Sequence, residues 1–351
     1  MNISLLLQLA NQHHSAGVIG LQTALHLVSH LNPTPNITIL ASSLPNTPIS
    51  AENLNYTSPR AGAHWRSQGA HDAALDAPTY THWRSLLAPI APATGITKYG
   101  LAYIDSQYIW YKHTNETVDA RGRGIWWKPL VDDFCVIPRW ELPKDAVFGV
   151  RFKAFGINPV TYMKYLLSEV KRRAMEKGAR EVNVIQKHVE GLCDAVKTVE
   201  RETGETVDVL VNCAGMGARW LKGVEDEEVY PVKGQTVLVK GECKVNRFVD
   251  TGKGWVDAVI RRPGVGTILG VSKVEDDWSE DVEDDLTEKI LARCKTLAPE
   301  LLNDKGEFDV IEVCIGRRPT RPSGVRIDAE IISLAGKERI ICHHYGHSGG
   351  G

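Results

Sequence analysis

Ser15-Ala16-Gly17-Val18-Ile19-Gly20, continuing as Leu21-Gln22-Thr23-Ala24-Leu25-His26-Leu27-Val28, is the stretch on which the fold turns. It has the spacing of a G-x-G-x-x-G turn, with serine at the first glycine position. At that spacing one small residue lets a strand turn sharply. The next admits close backbone approach to a pyrophosphate, and the third lets the following helix pack on the sheet. A dinucleotide's phosphates then sit on the N–H groups and positive dipole end of that helix. Val18, Leu21, Leu25 and Val28 recur at helical spacing, and Asn32-Pro33 ends the run. Read alone, the same residues also suit an ordinary strand–turn–helix.

Outward from the turn, Ile3 to Leu7 reads as the preceding strand, with Gln8 to His14 interposed. Ile37-Thr38-Ile39-Leu40 follows at the distance a βαβ unit requires. In nicotinamide and flavin sites an Asp or Glu usually ends that second strand and holds the ribose hydroxyl. Here Ala41-Ser42-Ser43 stands instead, and serine hydroxyls bond ribose less strongly than a carboxylate.

With 351 residues the chain has room for about two domains. Its 41 Lys+Arg against 43 Asp+Glu, without a basic block, argue against a nucleic-acid or membrane-surface binder. No apolar run reaches the ~18 residues of a spanning helix. The apolar leader from Ser4 to Ala10 lacks a neighbouring cation, the first being Arg60, so no secretory signal is expected. Seven cysteines without a C-x-x-C pair fit reduced thiols in a reducing compartment.

Further along, Tyr56 to Trp65 is a loop of small residues between aromatics, able to lay backbone N–H groups on a flat ligand or to be a plain surface turn. A helix is expected over Asp72 to Leu87, and short strands over Tyr99 to Trp127. Val147 to Phe152 leads through Asn158-Pro159 into an amphipathic helix, solvated at Lys171 to Arg173. Glu181 to Ile185 and Val207 to Asn212 read as strands. The second runs into another small-residue turn, Cys213-Ala214-Gly215-Met216-Gly217-Ala218. Gly234 to Lys240 alternates as a strand, Ala258 to Lys273 reads as a hairpin, and Asp281 to Leu297 as a helix with an acidic first turn. Arg317, Arg318 and Arg321 stand at a proline-bounded strand end. There a fixed guanidinium suits a carboxylate, although a solvated basic loop would carry the same residues. His343, His344 and His347 do not match zinc spacings, so no metal is expected.

Taken together, Ala16-Gly17-Val18-Ile19-Gly20-Leu21, Thr57-Ser58-Pro59-Arg60-Ala61-Gly62-Ala63, Asn212-Cys213-Ala214-Gly215, Arg262-Pro263-Gly264, Ile315-Gly316-Arg317-Arg318-Pro319 and His343-His344-Tyr345-Gly346-His347-Ser348-Gly349-Gly350 resemble the FAD-dependent D-amino-acid oxidases and D-aspartate oxidases. The matches run in family order over nearly the whole chain. The resemblance implies an α/β fold: a Rossmann-like βαβ domain for FAD built from 1–66, 145–225 and 300–351, and a mixed or antiparallel-sheet substrate domain from 67–144 and 226–299. It implies FAD contacts at Ala16, Gly17, Ile19, Gly20, Ser42, Ser43, Thr57, Ser58, Gly62, Ala63, His64, Val189, Gly346, Ser348 and Gly349. Arg318 matches the family arginine for the substrate α-carboxylate, and Lys273 the position where D-aspartate oxidases place an arginine for a second carboxylate. Val256 and Ile260 replace two tyrosines of the neutral-substrate oxidases, whose hydrogen bonds are worth about 0.5–1.5 kcal/mol each.

The reaction implied is oxidative deamination of a D-amino acid to a 2-oxo acid, with ammonia and, from dioxygen, hydrogen peroxide. The cofactor carries that chemistry, so positioning replaces any catalytic dyad. Small-molecule substrate and dioxygen are the implied partners, with no nucleic acid or membrane, a possible homodimer, and a peroxisomal or cytoplasmic setting. Alternatives are specificity for acidic D-amino acids and a non-catalytic, degenerate family member; the order of the other motifs disfavours a nicotinamide dehydrogenase. The chain stops at Gly351 inside the family's closing signature, before its last helix and targeting tripeptide, so both ends are expected to be imperfect, by truncation or a misassembled coding sequence.

Overall fold

A computed structural model describes residues 2–6, 16–47, 54–67, 73–87, 98–119, 121–253 and 255–349. Ser15, Leu7 and the stretch from Gln8 to His14 lie outside them.

Strands β1 (Asn2–Leu6), β2 (Asn36–Ala41), β6 (Asn183–Gln186), β7 (Val209–Asn212), β14 (Arg326–Leu334) and β15 (Lys337–Tyr345) form a six-stranded sheet in the order β14-β15-β7-β1-β2-β6. β1 pairs in parallel with β2 and β7, and β14 closes the edge as an antiparallel partner of β15. Helix α1 (Val18–His30) crosses from β1 toward β2. It packs with α3 (Pro159–Glu176) on the face carrying Ile37, Ile39, Val209 and Val211. Alternate strand residues face the other way: Leu40, Leu210 and Ile341 pack on α4 (Leu192–Thr203). Helices thus cover both faces, as strands buried on two sides require. α3 starts where Asn158 accepts a hydrogen bond from the Thr161 N–H and Pro159 occupies the first helical position.

The second sheet has nine strands: β3 (Leu101–Trp110), β4 (Cys135–Val136), β5 (Phe148–Ile157), β8 (Tyr230–Val239), β9 (Val245–Asp250), β10 (Val256–Arg262), β11 (Gly266–Leu269), β12 (Val274–Glu275) and β13 (Val310–Thr320). Its path is β12-β8-β11-β10-β9-β3-β5-β4, with β13 along β8. Two helices, α2 (Ala73–Leu87) and α5 (Asp284–Cys294), accompany it; α5 buries Ile290 and Cys294 with Val237, Val259 and Leu269.

The region from Tyr99 to Trp127 is one ten-residue strand followed by turns, where short strands are expected from sequence. β3 is long because β5 and β9 pair along it from both sides, which supports the polar Asp105, Ser106 and Gln107 in its middle.

Candidate active site

The turn after β1 and the segment after β2 meet. Ala16 is fully buried and its N–H donates to the Ser43 carbonyl at 2.6 Å. Ser42 and Ser43 therefore lie beside Ala16 and Gly17 at the carboxyl ends of parallel strands, where open α/β sheets bind ligands. Gly17 is the N-cap of α1 and brings no capping side chain. Ser58 Oγ accepts from the Val18 N–H at 3.1 Å. Ile19 and Gly20 form the first turn of α1, Gly20 buried. The Gln186 amide donates to the Ser42 carbonyl at 2.9 Å, and Val189, 1% exposed, follows β6 and is buried in the cluster that holds Leu40 and α4.

The other sequence-derived residues line a cavity of ≈740 Å³. Thr57, Gly62, Ala63 and His64 reach it from the small-residue loop, and Gly346, Ser348 and Gly349 from the loop after β15. Arg318 and Lys273 complete the set. Both loops are clamped to the nine-stranded sheet. Thr57 Oγ1 donates to the Arg317 carbonyl at 2.6 Å, Arg60 Nη1 to the Ile315 carbonyl at 3.1 Å, and the Ser348 N–H to the Pro319 carbonyl at 2.8 Å. Arg262 adds contacts to the carbonyls of Pro59 and Ala61.

Strand alternation on β13 sends neighbouring arginines to opposite faces. Arg317 is 5% exposed and binds the Trp278 and Ser279 carbonyls and Glu280. Arg318 points into the cavity, where its one side-chain hydrogen bond among the described residues is a long 3.4 Å approach to the Val232 carbonyl. It has no carboxylate partner among the described residues, and burial lowers its pKa. A guanidinium nonetheless stays charged, so the cavity holds an unneutralised cation. Lys273 stands beyond β11 and lines the rim of the cavity. Its pKa is lowered first by burial, then by the charges of Arg318 and Arg66.

Two histidines supply neutral polar atoms. The Asn246 carboxamide oxygen accepts from the Arg261 N–H at 2.8 Å, so its nitrogen faces His64 Nδ1 at 3.2 Å and leaves the imidazole proton on Nε2. Burial, then Arg66, push the His64 pKa down to about 3. His347, which the sequence shows in the closing signature but which was given no site role there, also lines the cavity. Its two ring nitrogens are buried without a hydrogen-bond partner among the described residues, and burial followed by His344 brings its pKa to about 3. Arg66, Tyr108 and Gly234 are further lining residues missed from sequence. A tall pattern of small residues marks the loops, whereas a single Arg or Tyr carries no such signal.

A three-layer nucleotide fold with a small-residue turn at its strand ends, joined to a sheet that presents an unneutralised arginine, has the parts of a dinucleotide-binding protein with a place for an anionic ligand. The chain belongs to the family of FAD dependent oxidoreductases, which it matches over residues 16–351. It is 33% identical to the D-amino-acid oxidase of Schizosaccharomyces pombe over 343 residues, 96% of this chain and 90% of the relative. It is 27% identical over 355 residues to the D-aspartate oxidase of Talaromyces thermophilus, 96% of this chain and 89% of that one. Among solved structures, glycine oxidase from Bacillus cereus superposes with a TM-score of 0.64 at 15% identity, covering 99% of this chain and 90% of that chain. L-proline dehydrogenase from P. horikoshii gives 0.67 at 15%, covering 100% and 88%. At these identities the structural likeness speaks for the fold.

FAD is the family's cofactor, and the residues present fit it. The two ring nitrogens of His347, buried and without a partner among the described residues, call for a ligand with both donors and acceptors, as the polar edge of an isoalloxazine has. At Gly62, an added Cβ would press within 3.2 Å of Ile260 Cδ1, so the loop lies close on the sheet.

Proposed function

We propose that this chain catalyses FAD-dependent oxidative deamination of D-amino acids, yielding a 2-oxo acid, ammonia and hydrogen peroxide. The observation that carries the proposal is Arg318, a half-buried cation in a ≈740 Å³ cavity with no carboxylate partner among the described residues. A substrate α-carboxylate supplies the missing charge, bidentately and away from water. FAD, when bound, supplies the two-electron acceptor, and dioxygen is the terminal oxidant. The chain's own part is to fix the substrate. Arg318 holds the carboxylate, and Val256, Ala258 and Ile260 present an apolar floor that keeps water from the reacting carbon. Ala16, Gly17, Ile19, Gly20, Ser42, Ser43, Ser58 and Val189 are assigned to the nucleotide end of FAD. Thr57, Gly62, Ala63, His64, Gly346, Ser348 and Gly349 are assigned to its flavin end.

Acidic substrates are the favoured subclass, because Lys273 adds a cation and Val256 and Ile260 offer no phenol to a neutral substrate. We further assign the FAD-binding and substrate domains along the two sheets, which moves β5 and β13 with the substrate side. Peroxisomal residence and a homodimer belong to the same proposal. No helix among the described residues is long and apolar enough to cross a membrane.

Flavin absorbance of the purified full chain, with a peroxide-coupled assay on D-alanine, D-aspartate and D-glutamate, tests the reading. Peroxide from at least one substrate is expected, with kcat/KM falling about 100-fold or more in Arg318→Met, the scale for removing one partner of a buried charge pair. A colourless protein, or no peroxide from any D-amino acid, rejects it.

A further inference from the structure

Arg66 follows the small-residue loop directly, and nothing in the oxidase reading uses it. Its guanidinium carbon lies 4.3 Å from the ring centre of Tyr108 and 5.9 Å from that of Trp110. Its side chain is 13% exposed and lines the same cavity as Arg318 and Lys273. Nη2 pairs with Glu116 at 2.8 Å, but Nε is buried with no hydrogen-bond partner among the described residues. Tyr108 faces Phe248 in a near-parallel stack, ring centres 5.7 Å apart, and His64 covers Phe248 at 4.4 Å. Glu116 therefore satisfies only part of a guanidinium held against an aromatic wall.

Strand order shows where this wall stands. Arg318 is on β13 and Tyr108 on β3, with β8, β11, β10 and β9 between them. Register places Tyr108 opposite Phe248, and Phe248 opposite Ala258, in one row across the cavity floor. Five strand spacings of about 4.8 Å put these backbones roughly 24 Å apart along the sheet. Both side chains line the one cavity together with Val256 and Ala258, and Lys273 feels the charge of both. Of the other arginines on the cavity, Arg321 is already paired with Asp226 and Glu228. Glu275 is the acidic residue among those lining it.

We infer that Arg66 is a specificity-determining residue for the far end of the substrate side chain, favouring D-amino acids whose terminal carboxylate lies farther from Cα than that of aspartate. The inference rests on the oxidase reading and deepens it. Glu116 acts as the resident counter-ion, holding Arg66 on Tyr108 and competing with the incoming carboxylate.

The experiment compares kcat/KM for D-aspartate, D-glutamate and D-2-aminoadipate against D-alanine in the holoenzyme, and calorimetric binding of glutarate against pentanoate to the same full chain. Preference is expected to rise from D-aspartate to the longer acids. R66Q should cut the D-glutamate to D-alanine ratio about tenfold, the weight of one hydrogen bond between charged groups. R66K should recover part of it, and E116Q should raise it. Pentanoate carries one carboxylate, so the margin by which glutarate binds more tightly should shrink in R66Q to what Lys273 alone supplies. A merely structural Arg66–Glu116 pair predicts that R66Q and E116Q move the ratio the same way, and that outcome overturns the inference. So does a ratio indifferent to R66Q. Absence of turnover with glutarate still preferred through Arg66 rejects the oxidase reading alone.

Discussion

At Gly234 the fold depends on the absence of a side chain. The residue pairs with Gly316 across β8 and β13, and a Cβ there would sit 2.5 Å from Arg318 Nη1 and 2.8 Å from Nη2. Both atoms are the far end of a flexible side chain, so Gly234→Ala can fold by displacing the guanidinium. The expected result is a well-folded protein with a thermal midpoint within a few degrees of the parent. Its KM should rise about tenfold or more for every D-amino acid, since a 1 Å misplacement of a carboxylate clamp is costly. Equal KM values in mutant and parent would mean that Arg318 does not hold the substrate. Neither glycine announces this role in sequence. Gly234-Gln235-Thr236 reads as an ordinary strand, and its partner Gly316 lies 82 positions away in the chain.

Elements were legible where one face is buried and the other wet. α1 and α3 repeat their apolar residues at helical spacing, and their buried sides carry Leu21, Leu25 and Val28, and Tyr162, Met163, Leu166 and Val170. The hairpin of β14 and β15 left no such trace, because Ile327 to Ile331 on the edge strand are exposed on both faces and have no reason to alternate. Half of the site was visible as small-residue loops; Arg66 was not, because its partner Glu116 is 50 residues away. On α3 the basic run after Leu167 has an electrostatic consequence. Arg172 first, then Arg173, hold Glu169 down to about 2. A carboxylate depressed in the folded state contributes stability above its unfolded pKa, near 4.5, and loses it as pH falls toward 2. Both arginines are 47% exposed, so the pairs together are worth only about 0.5–1 kcal/mol. Glu169→Gln should thus be slightly less stable than the parent in urea at pH 7, and the gap should close as the pH approaches 2. A gap that persists in acid would assign the loss to packing.

Across the whole molecule, imidazoles of lowered pKa gather where the two sheets meet: His344 on β15 of the six-stranded sheet, His347 in the loop after it, and His64 over Phe248 of the nine-stranded one. Burial is the first cause of the lowered pKa in all three, reaching about 3 for His64 and for His347. In the unfolded chain each returns to about 6.5. Between these values the unfolded state binds protons that the folded state refuses, so stability rises with pH there and is complete only above about 6.5. Each such site contributes a slope of up to about 1.4 kcal/mol per pH unit. The urea midpoint of the full chain, at fixed FAD concentration, should therefore fall steadily from pH 7 to pH 5, before most carboxylates take up protons. His347→Asn removes one refused proton and should flatten that fall by about one site's share. Parallel curves for mutant and parent would mean that His347 is open to water and titrates normally. The cavity would then be wetter than an uncompensated Arg318 requires, and the site's electrostatics would have to be rebuilt from that point.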